Sequence, residues 1–294
     1  MPDGYAHRYN GICAMNIAQY KPRDYRAFIM GCNGPDPLYF YQMYNPWRKF
    51  SLKDLGYRMH TEKTGLFIQN LFRFAQTNAQ KDFCLGFLCH YSLDSIMHPY
   101  INYITTAYAH PYNREYGHHW FESSLDSHIS FDECDEPAAH PNAYAPEMKK
   151  MYFDQIVTLF KHAVEATYTD ISFDRSEYVK LFNDYRKIKK ALYSPGKLKL
   201  SLTRIAEFVL RHPKGYIACH MQPCTEPIKN VAVWRNNEMG FFCDSTIEEL
   251  FAKANQQSAD YLEVGLKYFA GVYSAGDLLE DVGNKSYLTG VTID

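Results

Sequence analysis

The sequence predicts an all-α fold, a multi-helix bundle in one domain that spans residues 1–294. Two observations carry this prediction. Apolar residues recur with the helical period along most of the chain, and neither a convincing strand pair nor an internal repeat interrupts them. With 294 residues, 46% of them apolar, the chain is long enough to bury a substantial core. We expect residues 1–130 to carry the functional groups and residues 131–294 to form a helical scaffold.

Composition narrows the class of protein further. The net charge of -2 gives no reason to expect nucleic acid as the main partner. No stretch reaches the roughly 18 apolar residues of a membrane span. The start of the sequence, MPDGYAHRYNG, lacks the pattern of a signal peptide, and the eight cysteines form no CxxC motif. We therefore expect a cytoplasmic protein with reduced thiols and no membrane span.

The first elements are expected to be two helices and a constrained loop. The helices should span Tyr5–Gln19 and Arg23–Met30, the second with Pro22 in its first turn. The segment GCNGPDP, residues 31–37, then breaks the second helix and holds Asp36 on a loop. Because a proline follows it, Asp36 should have an extended backbone. Two more helices are expected, from about Ser51 and after His60, where TEKT looks like a helix start.

The most informative stretch is FCLGFLCHYSLDSIMHPY, residues 83–100. His90, Asp94 and His98 recur there at a spacing of four, so on a helix they form one slowly drifting stripe. Apolar residues surround this stripe, and the helix should therefore be largely buried. A buried carboxylate is costly unless it is paired or bound to a metal. Packing alone does not explain the stretch, which we expect to end or kink near Pro99.

The rest of the chain is expected to be mostly helical. A helix over Arg114–Ile129 should carry His118 and Glu122. An acidic surface loop should follow, from Asp132 to Pro146. The scaffold helices are expected at Glu147–Tyr168, from about Ser176 to Lys190, at Leu198–Leu210, and from Thr246 to about Tyr273, the last opened by a capping box at residues 245–248. Between the last two, Cys219–Phe242 should be irregular.

Eight polar side chains in the first 122 residues are candidate metal ligands: His7, Asp36, His60, His90, Asp94, His98, His118 and Glu122. Imidazole and carboxylate groups without thiolate suit zinc or a similar divalent metal. A single histidine is more often a satisfied core or surface residue. Two His-x-x-x-acid pairs and a further histidine on the same stripe are hard to obtain from packing alone. The spacing to Glu122 favours His118 over its neighbour His119.

Taken in order, these motifs resemble the zinc-dependent phospholipase C family, whose helical fold is shared with the S1/P1-type nucleases. They are a histidine in the first helix, the Gly-x-x-x-Pro-Asp loop, a histidine before a helix, His-x-x-x-Asp with a later His-Pro, and His-x-x-x-Glu. The resemblance implies a zinc cluster. One ion would be held by Asp36, His60, His90 and Asp94, a second by His98, His118 and Glu122, and a third by His7 with Asp36 or Asp94.

The resemblance also implies a reaction, in which water attacks a phosphodiester or phospholipid-like substrate. Asp36 would orient or deprotonate that water. Secreted family members complete the third site with an N-terminal Trp, which this sequence lacks before His7. Pro37 stands near the place of an aromatic residue in the headgroup pocket. We therefore expect two zinc ions and leave the third open, and phosphoester hydrolysis is better supported than phospholipid cleavage.

Two other functions remain compatible with the sequence. An S1/P1-like nuclease would use the same metals, but it requires an aromatic stacking site and a basic groove. Aromatic residues are plentiful, at 16%, whereas basic residues do not cluster near the motifs. A non-catalytic metal-binding protein would have no open coordination position. The sequence does not show whether such a position exists.

Overall fold

The structure is a computed structural model that describes residues 4–43, 52–107, 114–223, 228 and 230–293. Helices dominate these residues, and the predicted all-α fold is confirmed. In the first half the elements are α1 (Gly4–Ile17), α2 (Tyr25–Cys32), a 3₁₀ helix (Asp36–Phe40), α3 (Leu52–Thr61), α4 (Thr64–Phe74), α5 (Asn78–Ala107) and α6 (Arg114–Cys134). In the second half they are α7 (Pro141–Tyr144), α8 (Lys150–Thr167), α9 (Arg175–Leu192), α10 (Lys197–Val209), a 3₁₀ helix (Ala218–His220), strands β1 (Trp234–Arg235) and β2 (Phe242–Cys243), α11 (Ile247–Phe269) and α12 (Ala275–Val282).

Helix α5 is the axis of the fold, and α1, α2, α4, α6, α8 and α11 all pack against it. Its side chains are buried on every face through most of its length. The crossing with α2 is especially close, because both helices have a glycine there. A Cβ on Gly86 would lie 2.1 Å from the carbonyl oxygen of Phe28, and one on Gly31 would lie 2.1 Å from that of Phe83. The loop that follows α2 is thereby held against α5.

Two apolar clusters surround α5 and meet in its middle. One contains Phe83, Phe87 and Tyr91 together with side chains of α2, α4, α8 and α11. The other contains Leu93 and Met97 together with side chains of α1, α6 and α11. The stretch of α5 that carries His90 and Asp94 therefore runs through the interior, where unpaired polar groups are costly.

The sequence predicted that this helix either ends or kinks near Pro99, and it does not end there, because α5 continues to Ala107. Proline lacks the N–H that would bond the carbonyl four residues earlier, which is that of Ser95. The C-terminal segment packs on this part of the helix. A Cβ on Gly290 would lie 2.3 Å from the Ser95 oxygen, so the backbone of residue 290 approaches it closely. Packing from a distant part of the chain thus covers the site of the missing hydrogen bond.

Three local predictions about the first half also need correction. Asp36 begins a 3₁₀ helix and is not extended, since Pro37 fits the first turn of a helix. Helix α2 begins after Asp24, whose side chain accepts a 3.0 Å hydrogen bond from Ala27 N, and not at Arg23 with Pro22 in its first turn. Helix α6 runs on to Cys134, so the acidic run starts inside a helix, although its residues are exposed as expected.

Two predictions about the second half were wrong as well. The irregular segment contains a short antiparallel pair, in which β1 residues Trp234 and Arg235 face Cys243 and Phe242 of β2. The capping box of α11 is formed by Thr246 and Glu249, one position later than expected. A hydroxyl three residues before a carboxylate is required there, and Thr246 is the residue with the extended backbone of an N-cap.

The predicted helix start near Ser51 lies outside the described residues. Among the residues that are described, no helix is long and apolar enough to cross a membrane. The division into residues 1–130 and 131–294 stays a prediction.

Candidate metal centre

The polar stripe on α5 is fully buried, as its apolar surroundings predicted. His90, Asp94 and His98 each have 0% of their surface exposed, and they lie at successive i, i+4 positions of one regular helix. Three other elements bring side chains to this stripe: α1 brings His7, the 3₁₀ helix after α2 brings Asp36, and α3 brings His60. The structure therefore joins parts of the chain that are separated by up to 87 positions.

Four of these side chains form a group that could hold a metal ion: Asp36, His60, His90 and Asp94. Asp36 Oδ1 lies 3.4 Å from His60 Nε2 and 3.6 Å from His90 Nε2. Asp94 Oδ2 lies 3.7 Å and 3.0 Å from the same two nitrogens. Ligand atoms about 2.0–2.1 Å from a tetrahedral zinc ion stand about 3.3 Å apart. The four separations bracket this value.

The hydrogen bonding of the group also fits a metal. His60 Nδ1 lies 2.6 Å from the carbonyl of Gly56, and His90 Nδ1 lies 3.2 Å from that of Cys32. These contacts place the proton on Nδ1 and leave Nε2 as the electron-pair donor. In the part of the chain that is described, both Nε2 atoms and both Asp94 oxygens are buried without a hydrogen-bond partner. Since such groups are normally paired, a cation at the centre of the group explains them.

The loop before Asp36 is shaped to fit this group. Gly34 has φ +51°, a left-handed conformation, and a Cβ there would lie 2.2 Å from the imidazole ring of His90. Only glycine meets both requirements at this position. Asn33 anchors the same loop, because its side-chain nitrogen donates to the carbonyl oxygens of Ile29 and Tyr144. The Gly-x-x-x-Pro-Asp motif therefore positions Asp36 through its backbone.

A second group, His98, His118 and Glu122, could hold another metal ion. Glu122 Oε1 lies 2.7 Å from His118 Nε2 and 3.9 Å from His98 Nε2. His119 Nδ1 is 3.5 Å from the other carboxylate oxygen of Glu122, and the His119 side chain is 40% exposed against 19% for His118. The geometry thus groups His118, and not His119, with His98.

His7 lies between the two aspartates and completes the set of eight predicted residues. Its Nε2 is 3.3 Å from Asp94 Oδ1 and 3.8 Å from Asp36 Oδ2. Each aspartate therefore turns one oxygen to the His60–His90 side and the other towards His7. Neither ring nitrogen of His7 has a hydrogen-bond partner within the described residues, and the ring stacks on that of His90 with centroids 4.1 Å apart. The arrangement is compatible with carboxylates that bridge two ions.

Burial and nearby charges shift the pKa values of these groups in different directions. The pKa of His90 is raised, because the carboxylates of Asp94 and Asp36 outweigh the effect of its burial. Burial, together with the nearby His90, lowers the pKa of His7. Burial also lowers the pKa of His98, to about 3, and that of His118. For Asp94, burial acts to raise the pKa, but the surrounding histidines, with His90 foremost, hold it well below its ordinary value. Neutral imidazole and ionised carboxylate are the forms that bind a divalent metal.

Two neighbouring parts of the structure were not predicted from the sequence. The first is the C-terminal hairpin, residues 284–293, which closes with Ser286 N donating to the Val291 carbonyl. Tyr287 N donates to the carbonyl of His60 at 2.9 Å, and the Tyr287 carbonyl lies 2.8 Å from His98 Nδ1. Tyr287 therefore contacts one histidine of each metal-binding group, His60 through its backbone and His98 through its ring. No local signal marks it, because its role depends on contacts across 189 positions to His98 and 227 positions to His60.

The second is Asp126, which is buried on α6. Its two oxygens accept 2.8 Å hydrogen bonds from the backbone nitrogens of Tyr5 and Ala6. These belong to the first turn of α1, where unpaired N–H groups and the helix dipole favour a carboxylate. Asp126 therefore fixes the turn that carries His7. Its position one turn after Glu122 made it a possible supporting residue, but the favoured interpretation from the sequence was an acid on the surface, which its 3% exposure contradicts.

Comparisons with known proteins agree with this geometry. A family model described as zinc dependent phospholipase C matches residues 13–178, which is more than half of the chain. Searches of curated proteins and of solved structures found no match. The matched region contains seven of the eight predicted residues, all except His7. From this match and the two buried groups that it contains, we conclude that the chain belongs to the zinc-dependent phospholipase C family.

Proposed function

We propose that this protein is a zinc-dependent hydrolase that cleaves a phosphodiester bond of a phospholipid. The observation that carries the proposal is that α5 brings two largely buried groups of histidine and carboxylate donors together, one with Asp36 and His60 and the other with side chains of α6. In this proposal one zinc ion is held by Asp36, His60, His90 and Asp94, and a second by His98, His118 and Glu122. A third ion would be held by His7 together with the two oxygens that face it, Asp36 Oδ2 and Asp94 Oδ1.

The chain's own residues would each have a defined task. Zinc, when bound, lowers the pKa of water to about 7 and neutralises phosphate charge. Asp36 is the proposed catalytic residue: its carboxylate orients the attacking water and accepts its proton. Asp94 stays ionised because the surrounding histidines hold its pKa low. The backbone carbonyls of Gly56, Cys32 and Tyr287 keep the three imidazoles in the orientation that turns Nε2 inwards.

Exposure indicates from which side the substrate would arrive. The side chains of His60, His90 and His98 are 0% exposed, whereas that of His118 is 19% exposed. A catalytic zinc site needs an open position for water or substrate. The group on α6 has the more accessible histidine, so we place the phosphate of the substrate at this end of the centre.

The first test is metal content. Purified protein should contain at least two equivalents of zinc, and Asp94→Ala should lose at least one because Asp94 faces both His90 and His7. The matched control is Asp281→Ala, a change at an exposed aspartate on α12. Wild-type protein that cannot bind a stoichiometric divalent metal would reject the proposal.

The second test is a substrate panel, assayed on the zinc-loaded protein. We expect turnover of a chromogenic phosphocholine diester and of phosphatidylcholine in mixed micelles, and loss of at least about a hundredfold in Asp36→Asn. Activity on single-stranded DNA alone would favour the nuclease function instead. No turnover of any phosphodiester by the loaded protein would favour a metal-binding protein without catalysis.

A further inference from the structure

Helix α10 exposes apolar side chains to an unusual degree. The exposed fractions are 75% for Leu198, 58% for Leu202, 59% for Ile205, 84% for Phe208 and 68% for Val209. Positions 198, 202, 205 and 209 follow one another at spacings of four, three and four residues, which puts them on one face of the helix. Scattered exposed apolar residues are normal, but a continuous stripe of large ones marks an interaction site.

The opposite face of α10 holds the helix to the protein. Leu200 is buried there with Ala218 and Met221. Glu207 is only 4% exposed, and its carboxylate accepts hydrogen bonds from the backbone nitrogens of Gly215, Ile217 and Ala218. A carboxylate with three such bonds is well satisfied inside the protein. The helix is therefore anchored by its polar residue and turns its apolar stripe outwards.

The charged side chains of α10 and of the residues that follow it are all basic, apart from the buried Glu207. Residues 197–215, KLKLSLTRIAEFVLRHPKG, contain five lysine and arginine residues, and Glu207 is their single acid. On the helix, Lys197 and Arg204 fall on one side of the apolar stripe and Lys199 falls on the other. Lys199 also donates to the carbonyls of Ala191 and Tyr193 at the end of α9. The exposed surface is thus an apolar stripe with cationic borders.

We propose that α10 is an interfacial helix that docks the protein on a membrane surface rich in anionic phospholipid. A basic helix with large apolar residues on its outer face lies in the plane of such an interface, its side chains among the lipids. The cationic borders favour anionic headgroups. The same charges would repel those of a second copy in a face-to-face dimer, which disfavours self-association as the explanation of the stripe.

The position of α10 connects this surface to the candidate metal centre. The 3₁₀ helix Ala218–His220 packs between α10 and α6. Gln222, just after it, donates from its backbone nitrogen to Ser123 Oγ at 3.1 Å, beside Glu122. The ring of His220 lies 4.6 Å from that of His119. Contacts through this 3₁₀ helix thus link α10 to the more exposed group of the centre, and docking through α10 would bring the enzyme to its lipid substrate, a consequence that rests on the proposed function.

Co-sedimentation of the full-length protein with vesicles tests the proposal. We expect binding to vesicles of phosphatidylcholine with about one third phosphatidylserine, and at least about tenfold weaker binding to pure phosphatidylcholine. The variant Leu202→Glu/Phe208→Glu should bind the anionic vesicles at least about tenfold more weakly than wild type. The matched control, Met151→Glu/Val272→Glu, makes the same change at side chains that are 58% and 70% exposed elsewhere.

Three results would overturn the proposal. Wild type could fail to bind anionic vesicles, the α10 variant could bind them as well as the control variant does, or the free protein could be a dimer that the α10 substitutions dissociate. Circular dichroism of both variants checks that they are folded. Binding is measured with and without EDTA, and hydrolysis is measured on a soluble phosphodiester. Wild type that hydrolyses the soluble phosphodiester but does not bind the vesicles would therefore reject docking alone, and wild type that binds the vesicles without hydrolysis would reject hydrolysis alone.

Discussion

Asp94 is the residue on which the two buried groups depend most directly. Its Oδ2 lies 3.0 Å from His90 and 3.7 Å from His60, and its Oδ1 lies 3.3 Å from His7 and 3.7 Å from His98. A buried carboxylate surrounded by four imidazoles has no apolar substitute, because removing it leaves several buried polar groups unpaired. The i, i+4 positions on α5 supply two of these neighbours, and distant segments supply the other two.

Asp126 should contribute strongly to stability although it is not in either metal group. In Asp126→Asn the charge is lost, and so is one of the two hydrogen bonds to the first turn of α1, because the amide nitrogen cannot accept it. We expect the free energy of unfolding to fall by about 2 kcal/mol, since a hydrogen bond to a charged group contributes about 1.5–3 kcal/mol. Urea denaturation measures the change. Asp281→Asn, at an exposed position, should change it by less than about 0.5 kcal/mol, and an equal effect of the two substitutions would contradict the assigned role.

The lowered pKa of His98 predicts a pH dependence of stability in metal-free protein. The pKa is about 3 in the folded state and about 6.5 when unfolded. Between these values the unfolded chain binds more protons, so stability contributed by neutral His98 is present above about pH 6.5 and is lost as the pH falls. The slope is at most about 1.4 kcal/mol per pH unit.

The variant His98→Asn tests this dependence, because asparagine can still donate to the Tyr287 carbonyl but does not titrate. Urea denaturation in EDTA between about pH 7.5 and pH 5 should show a shallower loss of stability than in wild type. Parallel curves for the two proteins would show that His98 titrates normally.

Among the elements, the C-terminal hairpin has a larger role than its sequence suggests. It bonds the backbone of His60 and the ring of His98, and the Tyr287 ring lies 5.2 Å from that of His60 and 5.7 Å from that of His90. Residues that orient metal-binding histidines typically affect metal affinity ten- to a hundredfold. The hairpin should therefore act on zinc binding without supplying a ligand.

Gly290→Ala tests this role with every candidate ligand unchanged. The new methyl group would lie 2.3 Å from the Ser95 carbonyl, so the hairpin must shift away from α5. We expect zinc affinity, measured by competition with a chelator, to fall about tenfold. Gly240→Ala is the matched control: Gly240 also has a left-handed backbone, but no atom lies within 4 Å of its added Cβ. Equal affinities for the two variants would exclude the proposed role of the hairpin.

For the whole molecule, removal of zinc should weaken the fold itself. Both groups are buried inside the packing of α1, α3, α5 and α6, and they do not exist in the unfolded chain. A metal present at about a thousand times its Kd stabilises the folded state by about 4 kcal/mol, which corresponds to roughly 10 °C in Tm. EDTA should lower Tm by this amount and zinc should restore it, as differential scanning calorimetry can show. A Tm that does not respond to EDTA would contradict a buried, structurally coupled centre.

Local patterns in the sequence were sufficient for the all-α fold, for the α5 stripe and for the ordered motifs of the family. A spacing of four places His90, Asp94 and His98 on one helical face whatever the rest of the chain does. The same reasoning failed at Asp36, where the following proline was expected to extend the backbone, and α5 does not end at Pro99. Whether a proline ends a helix depends on what packs against it, and at residue 99 this is the hairpin around Gly290.

Other features depend on contacts between distant segments, and no local pattern predicts such contacts. They include the meeting of His7, Asp36 and His60 at α5 and the contacts of Tyr287. The orientation of α10 also depends on distant contacts. The spacing of its apolar residues predicted a helix, but the hydrogen bonds that the buried Glu207 accepts from Ile217 and Ala218 decide which face is exposed. Helical periodicity is a property of neighbours in sequence, whereas the metal centre and the exposed surface arise from the packing of separate helices.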